Sequence, residues 1–209
     1  MTRSTTAGDS REALLHAGWM IARKTGLRGL TVRAVARRAK ANLGTFVYHF
    51  RSRDEFIAEL IERWYAPLLA RVQIALEQDD RAIARLRRAV AGLVNFALDS
   101  GDFGGHVLMD AAVGEPAARR FLNTLFERHP VLIAKLIIEA QSDGDLAEGD
   151  PNHIMMYMMA SLGLPILLMH GWKGRGNPKN QIICALSRYA VDQTGIAQRM
   201  DWIFKGLRP

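Results

Sequence analysis

The 209-residue chain is 49% apolar, has one cysteine (Cys184) and carries a formal net charge of +7. Those values exclude an intrinsically disordered chain, which could not bury enough apolar surface, and any intrachain disulfide; a reducing compartment fits. The charge is concentrated: residues 1–53 hold 11 Lys and Arg against 2 Asp and Glu, the remainder 17 against 19, so the first quarter is expected to meet a polyanion, either nucleic acid or an acidic membrane.

No apolar alternation runs long enough for a strand. Helical spacing runs nearly end to end, so the expected fold class is all-α. Residues 1–8 read as a short flexible arm, and residues 1–10 lack the apolar stretch of a secretory leader, so the expected location is cytoplasmic. A first helix is predicted from about Ser10 to Lys24. Asp9 and Glu12 form its capping box, Leu14, Leu15, Gly18, Ile21 and Ala22 its apolar face, and Gly26 its stop. Thr31 caps a short second helix, with Val32, Val35, Ala36 and Ala39 as a buried stripe and Arg33, Arg37 and Arg38 opposite. Across the short link Lys40–Ala41, Asn42 caps a third helix whose inner face holds Phe46 and Phe50. Ser52-Arg53-Asp54-Glu55 is a capping box opening a long fourth helix, with Phe56, Ile57, Leu60, Ile61, Trp64, Leu68 and Val72 inward and Asp79–Asp80 as its break. Further helices are predicted over 81–98, 103–113, 116–142, 151–172 and 178 to about 193. Loops are expected at 101–102, 143–150 and 173–177, and Pro130 should bend or divide its helix.

Two short capped helices joined by a tight turn and flanked by arginines describe a helix-turn-helix: the second helix fits the major groove, and basic residues around it hold phosphates. The alternative for the basic run Arg33, Arg37, Arg38, Lys40 is a solvated helix face. The stretches R-E-A-L-L-H-A-G-W (11–19), T-G-L-R-G-L-T-V-R-A-V-A-R-R-A (25–39) and N-L-G-T-F-V-Y-H-F-R-S-R-D-E-F (42–56) resemble the tetracycline-repressor (TetR) family. The resemblance covers about a quarter of the chain; the rest matches only in layout.

This resemblance implies a homodimer with one recognition helix per subunit, bound to near-palindromic operator DNA and released by a small molecule. It divides the chain into a DNA-binding domain over residues 1–53 and a helical ligand-binding and dimerisation domain over 54–209. Thr31, Val32 and Arg33 would start the supporting helix beside DNA, with Arg33 on a guanine or a phosphate. Asn42, Leu43, Gly44, Thr45, Val47, Tyr48 and His49 would face the groove or its rim, Tyr48 and His49 touching phosphates. Arg53 matches the family's usual phosphate-binding lysine. Lys40 stands where that turn usually has glycine, Leu43 where a polar residue is usual and Val47 where a tyrosine is. An apolar residue at 43 or 47 suits a thymine methyl.

The stretch 151–172 contains no Lys, Arg, Asp or Glu. A membrane span is one reading; Pro165, Gly163 and His153 count against it, and no second span exists. Otherwise a helix apolar on all sides is buried between its own core and a partner subunit. The resemblance supports this reading, with an intersubunit four-helix bundle made by the last two long helices. The expected seam is Met158, Leu162, Ile166 and Met169 with Ile182, Ile183, Leu186, Tyr189 and Ala190. Expected pocket residues for a largely apolar effector are Trp64, Leu68, Phe96, Phe103, Val107, Met109, Phe121, Leu125, Met155 and Met159, with plain core packing as the alternative for each.

No phosphate loop, H-E-x-x-H or G-x-S-x-G motif occurs, so neither enzymatic activity nor a catalytic residue is expected. His106 and Asp110 share a helix face and with His153 or His170 make only a thin metal set; a packed or solvated pair is the plainer reading. No cofactor and no metal are expected. Non-specific DNA compaction shares the charge block but would show no preference for one site. The expected function is a ligand-controlled transcriptional repressor.

Overall fold

The computed structural model describes residues 7–172 and 180–209, which form α-helices and, among the described residues, no strand. The helices are α1 (Ala7–Thr25), α2 (Val32–Arg38), α3 (Leu43–Phe50), α4 (Arg53–Leu76), α5 (Ala82–Ala112), α6 (Pro116–Leu125), α7 (His129–Ser142), α8 (Pro151–Trp172), α9 (Gln181–Tyr189) and α10 (Gln193–Gly206). They pack as two units. The first comprises residues up to Ala66 together with His106–Thr124; the second comprises Pro67–Gly105 and Leu125–Pro209. Both α4 and α5 pass from one unit into the other, α4 at Pro67.

Local rules set the first unit. The Thr31 hydroxyl accepts from the Ala34 amide, the Asn42 side chain from the Thr45 amide and the Ser52 hydroxyl from the Glu55 amide. Each satisfies an amide that a helix start leaves open. Asp9, by contrast, lies inside the first turn of α1, since the helix starts at Ala7; an acid there still suits the helix dipole. Between α2 and α3 the Ala41 amide donates to the Ala36 carbonyl, and Lys40 takes φ +55°. This is the Schellman closure that glycine usually provides, made here with a lysine. Phe46, Phe50 and Phe56 form a ring cluster with centroids 4.8–5.5 Å apart. Gly18 lets α1 approach α4: a Cβ there would lie 2.5 Å from the Phe56 ring.

The second unit departs from sequence expectation in two places. The two helices predicted over 81–98 and 103–113 are one helix, α5, kinked at Ser100 (φ −140°). Residues 101–102 are therefore no loop. The buried Ser100 hydroxyl donates to the Phe96 carbonyl, and Gly101 makes room for the His170 ring, whose Nδ1 would lie 2.8 Å from a Cβ there. Near the C-terminus the helix predicted to run to about Gln193 ends at Tyr189, and a further helix, α10, follows. Asp192 caps α10 by accepting from the Gly195 amide, and Ile196, Ile203 and Phe204 are buried along one stripe. The expected division at Pro130 is present, with Pro130 in the first turn of α7. The loop expected at 173–177 and the start at 178 lie outside the described residues, as do residues 1–6 of the expected arm.

Helix α8 is long and apolar enough to cross a membrane by composition. It packs against α7, α9 and α10, and Ile154, Met158, Leu162 and Ile166 form its buried face.

Candidate nucleic-acid interface

The first unit presents α3 with a locked inner face and a free outer one. Phe46 and Phe50 are buried, whereas Leu43, Val47 and Tyr48 are exposed, Tyr48 to 77%. Leu43 and Val47 are one turn apart, on one face. Gly44 and Asn42 are also exposed, and Thr45 is half-buried with its hydroxyl donating to the Asn42 side chain. Around α3 stand the exposed Arg33, Arg37, Arg38, Lys40 and Arg51. Thr31 is exposed and occupied as a cap; Val32 is half-buried. The His49 ring is 2.9 Å from the Ser10 hydroxyl, which ties the recognition helix to the start of α1. Glu12, one of the few acids in this block, is also tied down. Two hydrogen bonds from Arg63 hold its carboxyl below the usual carboxylate range. The result is an apolar strip with a cationic rim, suited to a polyanion that carries apolar groups on its readable edge.

Arg53 departs from its expected place on phosphate. Its Nε donates to the Leu30 carbonyl at 2.7 Å and its Nη2 to the Leu27 carbonyl at 2.7 Å. Nη1 and Nη2 clasp the two carboxylate oxygens of Glu115 at 3.0 and 3.1 Å. Most of the guanidinium's N–H groups are engaged within the protein and its charge is paired with a carboxylate of only 5% exposure, while the Arg53 side chain stays one-third exposed. Asp110, read in sequence as half of a histidine–carboxylate pair, accepts the Leu27 amide at 2.6 Å; a Cβ on Gly26 (φ +74°) would lie 2.7 Å from that carboxylate. Asp110 and Glu115 are thus part of the helix-turn-helix framework. Sequence reading missed them because their partners are 83 and 62 residues away.

The expected pocket residues divide between the units. In the first, the Phe121 ring lies 6.2 Å from Trp64, and Val107 is buried. In the second, Leu68, Phe96 and Phe103 are buried and Leu125 and Met155 half-buried. Met109 and Met159 are 67% and 55% exposed, which takes both out of any enclosed lining. Of the expected seam residues, Met158, Leu162, Ile166 and Ala190 are buried within the protomer and unavailable to a partner. Met169, Ile183 and Leu186 are half-buried, and Ile182 and Tyr189 are exposed. On α8 the outward apolar residues are instead Met156, Tyr157, Met159, Leu164 and Leu168.

Residues 14–60 match the family described as bacterial regulatory proteins, tetR family. The chain is 23% identical over 186 residues to the HTH-type transcriptional repressor DhaR of Mycobacterium sp. (strain GP1), covering 88% of this chain and 93% of that protein. Among solved structures it is similar to the ketosteroid transcriptional regulator KstR2 of Mycobacterium tuberculosis (TM-score 0.69, 16% identity, all of both chains). It is also similar to the TetR family transcriptional regulator PfmR from Thermus thermophilus (TM-score 0.68, 19% identity, 94% of this chain and 99% of that one). An N-terminal helix-turn-helix on a helical body defines a DNA-binding transcriptional regulator. The basic first quarter and the exposed outer face of α3 agree with that class. Residues 14–60 thus carry the helix-turn-helix segment described for the tetR family of bacterial regulatory proteins.

Proposed function

We propose that the protein is a homodimeric repressor that holds a near-palindromic operator and leaves it when a small, largely apolar effector binds. DNA reading is assigned to residues 1–53 and effector binding and dimerisation to 54–209. The observation that carries this reading is α3, whose inner face is locked by Phe46 and Phe50 while Leu43, Val47 and Tyr48 stand free within a rim of exposed arginines. One helix reads one half-site, so specific binding calls for two copies roughly 34–36 Å apart, or a multiple of that. The outward apolar residues of α8 and α9 are assigned to pairing with the second copy; they take the place of Met158, Leu162 and Ile166. Effector contact is assigned to the second unit, among the buried Leu68, Phe96 and Phe103.

The test is fluorescence anisotropy with DNA from upstream of the protein's own gene, against scrambled DNA, over a salt series. Preference for one near-palindromic segment is expected. Arg33→Ala should weaken it by about 1–3 kcal/mol if Arg33 reads a base. Equal, steeply salt-dependent binding to both DNAs would reduce the interface to electrostatics, and no binding at low salt would overturn the DNA reading.

A further inference from the structure

Pro165 stands in the middle of α8 and has no amide hydrogen, so the Ser161 carbonyl four residues earlier loses its intrahelical donor. Left unsatisfied and away from water, that carbonyl would weaken the helix. The donor comes from α10. Arg199 Nη1 donates to the Ser161 carbonyl at 3.0 Å. Nη2 of the same guanidinium donates to the carbonyls of Tyr189 and Ala190, at 3.0 and 2.9 Å, where α9 ends. Nε reaches the Gly195 carbonyl of its own helix at 3.4 Å. A cation at the end of α9 also meets the negative pole of that helix. Gly195 permits the approach: a Cβ there would lie 2.7 Å from the Tyr189 carbonyl oxygen. One side chain thus ties the proline site of α8 to the C-terminus of α9.

Those two helices carry the outward apolar strip: Met156, Tyr157, Leu164 and Leu168 on α8, Ile182 and Tyr189 on α9. Residues 151–172 carry no Lys, Arg, Asp or Glu, so a charged partner finds nothing to complement on α8, whereas an uncharged strip can meet its own copy across a two-fold axis. Interdigitation of helices needs a fixed angle between them. We propose that Arg199 is a positioning residue for self-association, bracing α8 at Pro165 against the end of α9 so that the strip holds the one geometry that a second copy fits. This rests on the pairing assigned under Proposed function. Lysine has no planar fork and cannot span three carbonyls.

The experiment is sedimentation equilibrium of the full chain for wild type, Arg199→Lys, Pro165→Ala and the double variant, with the exposed Lys205→Gln as control and circular dichroism to confirm a helical fold. Arg199→Lys is expected to raise the dimer dissociation constant by about tenfold, and Lys205→Gln to leave it unchanged. Pro165→Ala restores the missing amide, so Arg199→Lys should cost less affinity in that background than in wild type. A wild type that stays monomeric overturns the pairing reading, and this proposal with it. A dimeric wild type whose Arg199→Lys variant associates equally well overturns this proposal alone. Should Arg199→Lys lose its helical fold, the double variant decides: dimerisation near the wild-type level supports the brace, and a folded monomer argues against the link to Pro165.

Discussion

Val47 shows what one exposed side chain implies. It lies a turn beyond Leu43 on the outer face of α3, and both are solvent-exposed. The only apolar group on the edge of a base pair in the major groove is the thymine methyl. Replacing half-site thymines by deoxyuridine removes that methyl and nothing else. The expected loss is roughly 0.8 kcal/mol per contacted methyl, and a Val47→Ala protein should be nearly indifferent to the change. Equal wild-type affinity for the two DNAs would remove Val47 and Leu43 from base reading. The inward turn of Phe46 and Phe50 was legible from their i, i+4 spacing; the outward place of Leu43 and Val47 followed only from the family resemblance, since Leu43, seven residues before Phe50, falls by period on the inner side. The fate of Arg53 was not. Nothing within a few residues announces Glu115, and an arginine beside a recognition helix looks the same whether it meets phosphate or a buried carboxylate.

Among elements, the starts of α2, α3 and α4 were legible because a cap acts over three residues. Thr31, Asn42 and Ser52 each make the predicted bond. The merging of α5 was not, since Gly101 breaks a helix only if nothing packs there, and the His170 ring does. Helix α10 had a local signal, with Asp192 as cap and Ile196, Ile203 and Phe204 at helical spacing, that sequence reading passed over. At the start of α7 lies a pH-dependent element. Burial pulls the pKa of His129 from 6.5 to about 4. The unfolded chain therefore takes up a proton below pH 6.5 that the folded chain refuses until about pH 4. Stability is fully present above that window and falls as pH drops through it. Urea unfolding at neutral pH and near pH 4.5 should show wild type losing about 2–3 kcal/mol more than His129→Gln. Parallel losses in the two proteins would remove His129 from the acid response.

The molecule as a whole divides less simply than its charge does. Charge separates residues 1–53 from the rest, but packing assigns His106–Thr124 to the same unit as the helix-turn-helix. The Arg53–Glu115 clasp and the Asp110–Leu27 bond are part of the reason. Arg53→Met leaves Glu115 nearly buried without its partner, and about 3 kcal/mol of stability should be lost. That is the low end for a broken buried pair, because the guanidinium is itself one-third exposed. Arg53→Met with Glu115→Met removes both charges and should lose less than either single change in urea unfolding. A single Arg53→Met variant as stable as wild type would reduce the clasp to an incidental surface contact. Long-range pairings of this kind were the least legible part of the chain: composition and period constrain neighbours, while Leu27 meets Asp110 and Arg53 meets Glu115 only once the helices between them have folded. The clasp also limits modular reuse of the DNA reader. Grafting residues 1–53 onto a foreign sensor body, to rewire which signal controls a given operator, would strip the Leu27 amide of Asp110 and would strip Arg53, which holds the Leu27 and Leu30 carbonyls, of Glu115. A working hybrid must carry residues 106–124 with the reader, or supply acids at the matching places.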